Sequence, residues 1–304
     1  MNSSGGKPAR PYSSRLLQGA VVLLARLPLS VLHGLGGLIG RLVYALPGRY
    51  RRRLQANARQ AGYPEAAFAR RAAAHTGAMI LETPKIWLRE AECLRLTSSH
   101  DTDVLHEVQA EGRGVLFLTP HLGCFEITPR HILSCGQGPM TVMYRPPRLA
   151  ALAPLMTHVR NSSSLTAVPA NRQGLRAFVR ALRQGESIGL LPDQVPSDGE
   201  GLWLPFFDRP AFTMTLAARL ALQTGVAVIL TAGERLPGGR GWRIHYLRLP
   251  EPLPADVPAL TAAINQAMEE LIRRFPEQYL WSYHRYKAPA DAPAPPPSNS
   301  STLP

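Results

Sequence analysis

The chain has 304 residues, 45% of them hydrophobic, which is enough for one large domain or two small ones with a sizeable core. Its three cysteines, Cys93, Cys124 and Cys135, form neither CxxC nor a Cys/His ligand spacing, which argues against a disulfide framework or a structural zinc site and fits a reducing cytoplasm. With 34 Lys and Arg against 21 Asp and Glu the formal charge is +13, a balance that attracts anionic partners, whether phospholipid head groups, nucleic acid or an acidic protein.

Residues 1–14 are polar, with Gly, Ser and Pro, and are expected to form a tail. From Leu16 to Leu46 the chain is apolar, broken by Arg26 and Arg41 and closed by the basic run Arg49–Arg53. The uncharged stretch 27–40 falls short of the roughly 20 residues a spanning helix needs. Two readings remain: a core hairpin of two helices around Pro28, or a hairpin inserted in or lying on a membrane, with a polybasic flank. The second is preferred because no acidic residue occurs from Met1 to Pro64 and arginine can snorkel. No small-x-small cleavage site is recognised, so 15–53 is expected to be an uncleaved anchor.

Beyond it, strands are expected at 114–119 (GVLFLT), 141–144 (TVMY), 187–192 (SIGLLP), 226–232 (VAVILTA) and 242–249 (WRIHYLRL). Helical patterns fill about 65–90, 102–110, 124–135, 148–160, 172–184, 212–224 and 258–275. The first and fourth strands are continuously apolar, as in strands covered on both faces. The fold class expected for 54–287 is α/β, with a mixed, largely parallel central sheet flanked by helices. Residues 288–304 are rich in Pro, Ala and Ser and are expected to be a second tail.

In an open α/β sheet, catalytic groups gather beyond the carboxyl ends of the strands, and His121 follows GVLFLT by one proline. Five residues on stands Glu126. Were both in regular helix they would sit about 140° apart, so the histidine must occupy a turn and Glu126 the first turn of the next helix. There the carboxylate fixes the imidazole tautomer and leaves the other nitrogen as a general base for a substrate hydroxyl. The competing reading of the same spacing is a helix-capping histidine beside an unrelated surface glutamate.

HLGCFE, 121–126, resembles the H-x4-D/E motif of the lysophospholipid-type glycerolipid acyltransferases, in the Glu form of the lipid A secondary acyltransferase branch. MYRPPR (143–148) is similar to that branch's Tyr-Arg-Pro segment and VRNSSS (159–164) to its following Arg-x-Asn-like segment. LLPDQVPSDGEGLWLPFFDRPAFTMT (190–215) resembles its Pro-Asp-Gln/His stretch with Pro-Phe-Phe, and QYLWSYHRYK (278–287) its closing Trp-x-x-His-Arg-x-Lys signature, with Tyr286 where a second arginine is usual. The resemblance covers about 15–287. It implies transfer of a fatty acyl chain from a thioester, on acyl carrier protein or coenzyme A, to a hydroxyl of a lipid A precursor. It further implies no cofactor, acyl carrier protein and membrane lipids as partners, and the cytoplasmic face of the bacterial inner membrane as the location.

Further site candidates follow. Arg145, in the extended backbone before Pro146, is suited to aim a guanidinium at phosphate, with Arg160, Asn161 and Arg172 extending the anion site. Asp193, past SIGLLP, is placed to hold Arg145 or orient substrate. Arg285, among Trp281, Tyr283 and Tyr286, fits a membrane interface or a donor phosphate, or else a docked C-terminus. Phe206, Phe207 and Phe212 read as core in preference to an acyl groove. Alternatives remain in a lysophospholipid or other lyso-lipid acceptor and in a non-catalytic basic module on membranes or nucleic acid. Nucleic acid is disfavoured because no recognised binding motif occurs, and a metal-dependent hydrolase because the nine histidines form neither HxH nor HExxH.

Overall fold

The computed structural model describes residues 11–144, 164–196, 200–290 and 292–296. Arg145, Arg160, Asn161 and the helix expected at 148–160 lie outside these residues. The N-terminal part is helical: α1 (Pro11–Arg26), α2 (Leu29–Ala45), α3 (Arg49–Gln60), α4 (Ala66–Leu88) and α5 (Glu90–Arg95). Helices α2 and α4 approach closely because Gly36 and Gly40 face Gly77 and the alanines beside it. A Cβ built on Gly77 would fall 2.0 Å from the Gly36 carbonyl oxygen, and one on Gly40 2.0 Å from that of Ala73. Glycine costs a helix about 1 kcal/mol relative to alanine, a cost offset here by backbone-to-backbone contact.

The α/β part continues through β1 (Thr97–Ser99), α6 (Asp103–Ala110), β2 (Val115–Leu118), α7 (Thr128–Ser134), β3 (Met140–Tyr144), β4 (Leu165–Pro169), α8 (Arg172–Arg183), β5 (Ser187–Leu190), β6 (Gly201–Phe206), β7 (Arg209–Met214), α9 (Leu216–Thr224), β8 (Ala227–Arg235), β9 (Trp242–Arg248) and α10 (Val257–Arg274). Among the described residues a seven-stranded sheet has the order β1-β9-β8-β2-β5-β3-β4. Every neighbouring pair in it is parallel except β8 with β9. The expected fold class is therefore the observed one.

Strand β2 sits mid-sheet and is apolar throughout because both its faces are covered. Leu116 and Leu118 enter the core beneath α9 and α10, whereas Val115 and Phe117 enter the one that includes Trp242 and Ile127. Phe206 and Phe207 are buried in the former region, and Phe212 is buried against Trp203, all three as core and not as a groove.

Two expected helices are shorter than their apolar patterns. The one at 124–135 begins only at Thr128, because Gly123 takes a left-handed φ of 59° and residues 125–127 form a turn. The one at 212–224 begins at Leu216, because Arg209–Met214 pairs with Gly201–Phe206 in a hairpin. Its two loop residues, Phe207 and Asp208, have φ of 48° and 60°, a primed turn without the Asn-Gly that announces one in sequence.

Gly77→Ala should destabilise the protein by about 1–3 kcal/mol through overpacking against α2. Ala74→Gly, beside the same contact, introduces no clash but loses about 1 kcal/mol of helix propensity, and denaturant unfolding of the two variants separates overpacking from that loss.

Candidate active site

Strands β2 and β5 are adjacent and parallel, with Leu118 opposite Leu190. The ladder continues by one bond, from Thr119 N to Leu190 O at 3.0 Å. His121 stands three residues past Leu118, and Asp193 three past Leu190, so the two emerge level at the carboxyl edge of the sheet. There the His121 imidazole Nδ1 lies 2.7 Å from Asp193 Oδ1, and the His121 backbone N–H donates to Oδ2 at 2.9 Å. One carboxylate thus holds both the ring and the backbone of the histidine.

With Nδ1 donating to Asp193, Nε2 carries the lone pair, and the Gln194 side-chain amide donates to it at 3.1 Å. Burial alone pushes the Asp193 carboxyl up, but the His121 charge and hydrogen bonds, with Arg285 beyond them, hold it below the usual carboxylate range. It is therefore ionised at neutral pH.

The carboxylate bonded to the imidazole is Asp193, where the sequence suggested Glu126. Glu126 lies in the 125–127 turn, ahead of α7 and not within its first helical turn. Its Oε2 accepts from Trp87 Nε1 at 3.0 Å and lies 3.9 Å from Arg130 Nη1. It shares with His121 the wall of a cavity of about 370 Å³, whose other lining includes Phe117, Ile132, Met140, Val142, Leu165 and Gln194. The chamber is mostly apolar, with polar groups gathered where the two strands end. Gly189 on β5 lines it without a side chain, and a Cβ there would come 2.9 Å from Val142 Cγ1.

The turn bearing His121 is held from behind. Gly123 N donates to Gln278 O at 3.0 Å, Cys124 N to Gly233 O at 2.7 Å, and Leu280 N to His121 O at 3.0 Å. The N–H groups of Gly123 and Cys124 are therefore spent inside the fold and are not free for a developing oxyanion. Close approach explains the glycines, since a Cβ on Gly123 would meet Gly233 O at 2.1 Å. No cysteine is poised as a nucleophile. Burial pushes Cys93 to about 12 and Cys124 well above the ordinary thiol value.

Of the remaining candidates, Arg172 opens α8 in an exposed position outside the cavity lining. Arg285 is turned into the core. It is 2% exposed, donates from Nη1 to Phe212 O at 2.8 Å and from Nη2 to Thr213 Oγ1 at 2.7 Å, and lies over the Phe206 ring. Around it the C-terminal segment is docked on the core: Trp281 is buried, Asn57 donates to the Trp281 and Tyr283 carbonyls, and Val195 N donates to Tyr283 Oη. That docking is what the aromatic and basic mixture of QYLWSYHRYK encodes.

The family described as bacterial lipid A biosynthesis acyltransferase matches this chain over residues 10–288, which takes in the helical N-terminus, the whole sheet and the docked C-terminal segment. The chain belongs to that family. It is accordingly an O-acyltransferase. Among curated relatives, the lipid A biosynthesis lauroyltransferase of Escherichia coli (strain K12) is 27% identical over 278 residues, covering 88% of this chain and 89% of the relative. The palmitoleoyltransferase of the same organism is 28% identical over 213 residues, covering 69% of this chain and 68% of the relative. A lipid A biosynthesis acyltransferase of Haemophilus influenzae is 28% identical over 227 residues, covering 72% and 70%.

Beneath the site of this acyltransferase lies a buried ion pair. Glu82 on α4 is fully buried, its Oε2 receiving Arg235 Nε at 2.9 Å, Trp242 Nε1 at 3.1 Å and His33 Nε2 at 2.8 Å, while Arg235 Nη2 bonds Oε1. Burial raises the Glu82 carboxyl, but the Arg235 charge and the bonds from His33 and Arg235 bring it to about 2. Burial and the Arg235 charge bring the neighbouring His75 to about 4. Both folded values lie below the ordinary ones of 4.5 and 6.5, so both groups contribute stability that is present at neutral pH and lost on acidification. The loss should begin below pH 6.5 as His75 must charge, and steepen from 4.5 towards 2 as Glu82 protonates. In Glu82→Gln, stability at pH 7 should fall by roughly 3–5 kcal/mol because Arg235 is left buried without its partner. The difference from wild type should shrink as pH approaches 2, which denaturant midpoints across pH will measure.

Proposed function

We propose that this acyltransferase moves a fatty acyl chain from a thioester, carried by acyl carrier protein or by coenzyme A, to a hydroxyl of a lipid A precursor at the cytoplasmic face of the bacterial inner membrane, without a cofactor. The observation that carries the reading is the His121–Asp193 pair opening on an apolar cavity at the carboxyl edge of the sheet. His121 Nε2 takes the proton of the acceptor hydroxyl as Gln194 yields its place. The oxygen attacks the thioester carbonyl, the C–O bond forms, the C–S bond breaks, and the departing thiolate takes the proton back from the imidazolium. Asp193 fixes the tautomer and stabilises that imidazolium. No residue of the enzyme is acylated. Glu126, held by Trp87 and Arg130 on the cavity wall, contacts substrate and leaves orientation of the ring to Asp193. Phe117, Ile132, Met140, Val142 and Leu165 receive the acyl chain. The net charge of +13 favours both an acidic carrier and a phosphorylated acceptor.

Membrane attachment is assigned to α1 and α2 together with the arginines of α3. Among the described residues no single helix is long and apolar enough to span, although α2 and α3, bent by 98°, pass by length and composition as a broken pair. What favours an interfacial seat is the run of exposed apolar residues, Leu23 at 62%, Leu38 at 52%, Leu42 at 59% and Leu46 at 65%, ending on Arg49, Arg51, Arg52 and Arg53.

Purified protein with labelled lauroyl-carrier thioester and a tetra-acylated lipid A precursor should add one acyl chain by mass. His121→Ala should lower the rate on the order of 10²–10⁴-fold, and Asp193→Asn by a comparable factor, with the fold retained. Unchanged turnover in His121→Ala would remove the imidazole from the mechanism, and transfer to a lyso-phospholipid run in parallel, without transfer to the lipid A precursor, would redirect the acceptor.

In flotation with vesicles containing phosphatidylglycerol, wild type should rise with the lipid, and Leu38→Asp with Leu42→Asp should leave it in the aqueous layer. Wild type remaining below would end the interfacial assignment.

A further inference from the structure

The Glu82–Arg235 pair lines neither the cavity nor any surface, yet it reaches the catalytic turn directly. Arg235 closes β8, and its guanidinium has four partners. Nε and Nη2 grip Glu82, Nη1 meets His75 Nδ1 at 3.3 Å and Gln278 Oε1 at 3.5 Å, and Nη2 also donates to Gly123 O at 3.3 Å. The same residue's backbone is bonded on both sides by Gln278: its N–H donates to Gln278 Oε1 at 2.8 Å, and Gln278 Nε2 donates to its carbonyl at 3.0 Å. Gln278 O in turn takes the Gly123 N–H. Gly123 is therefore held at its carbonyl by Arg235 and at its N–H by a residue that Arg235 itself fixes.

Burying two charges is expensive, and well-packed apolar side chains of similar volume are often at least as stable. A guanidinium with five rigid donors differs from such side chains in that it can fix several acceptors at once in a set direction. Here those acceptors belong to α4, to the C-terminal segment and to the carbonyl two residues after His121. We infer that Glu82 and Arg235 are positioning residues for acyl transfer: the pair sets the backbone of the 121–124 turn, and through it the height at which His121 Nε2 enters the cavity. Asp193 fixes the ring's rotation, and Arg235 fixes where the ring begins.

The pair also ties the site to the N-terminal helices. Glu82 accepts from His33 on α2, the helix whose opposite face carries the exposed leucines, and α2 cannot shift against α4 without driving Gly36 into Gly77. The position of the turn and the seating of α2 are thus joined through one carboxylate.

This inference rests on His121 as the general base, and its test separates the two. Arg235→Lys keeps the charge opposite Glu82 but is too short and too simple in geometry to hold Gly123 as well. The double variant Glu82→Gln with Arg235→Met removes both charges at similar volume, in case the single variant fails to fold. Each is assayed with lauroyl-carrier thioester and tetra-acylated lipid A precursor, with His121→Ala alongside, and each is followed by hydrogen exchange over 117–126. Misplacement by about 1 Å costs on the order of 10² in rate, so kcat per folded molecule should fall by about that factor with KM for either substrate within about threefold. Exchange in the turn should rise while β2 stays protected. Wild-type kcat with unchanged exchange in either folded variant would overturn the inference, as would a rate loss confined to KM. Full activity in His121→Ala would instead strike at the general-base reading, and the exchange measurement would still decide what Arg235 does to the turn.

Discussion

Everything at the site depends on the register between two parallel strands. Because Leu118 faces Leu190, the chain leaves β2 and β5 level, and equal offsets bring an imidazole and a carboxylate within 2.7 Å. A slip of one residue would turn each side chain to the opposite face. That register is secured by burial on both faces of β2 and by neighbours on both its edges, so it is among the least deformable parts of the molecule. The chemistry is thereby placed where the backbone has least freedom.

The N-terminal helices meet the opposite demand. They bury one face of α2, made of Leu29, Leu32, Gly36, Gly40 and Tyr44, and leave Leu35, Leu38, Ile39 and Leu42 of the same helix pointing outward. The helix is thus apolar on both its faces, and it is the outer of the two on which the proposed interfacial seat rests.

The sheet was readable in the sequence because GVLFLT and VAVILTA are apolar without alternation, and His121 was readable because it follows such a strand by a proline. Its partner was not, because nearness along the chain favoured Glu126 while Asp193 lies 72 residues away. The signal that would have found it was present: two apolar strands, each followed at the same distance by a titratable residue, become neighbours in a parallel sheet. Arg285 stayed open between a surface role and a docked C-terminus for a related reason. A basic residue among aromatics looks like a surface feature until Thr213 and the Phe212 carbonyl are seen to accept its donors in the interior. Glu82 and Arg235 gave no local sign, being 153 residues apart on a helix and a strand end whose surroundings read as ordinary amphipathic structure.

The turn that bears His121 is synthesised early but finished late. Two of its backbone bonds come from Gln278 and Leu280, a third from Gly233, and a side-chain bond from Arg235, all more than 100 positions downstream. A nascent chain that has emerged as far as Asp193, just past β5, already owns both halves of the His121–Asp193 pair, yet its turn still lacks Gly233, Arg235 and Gln278. The proposed reactivity therefore waits until residues 278–280 have left the ribosome, and a product truncated before them carries an imidazole whose turn lacks these supports.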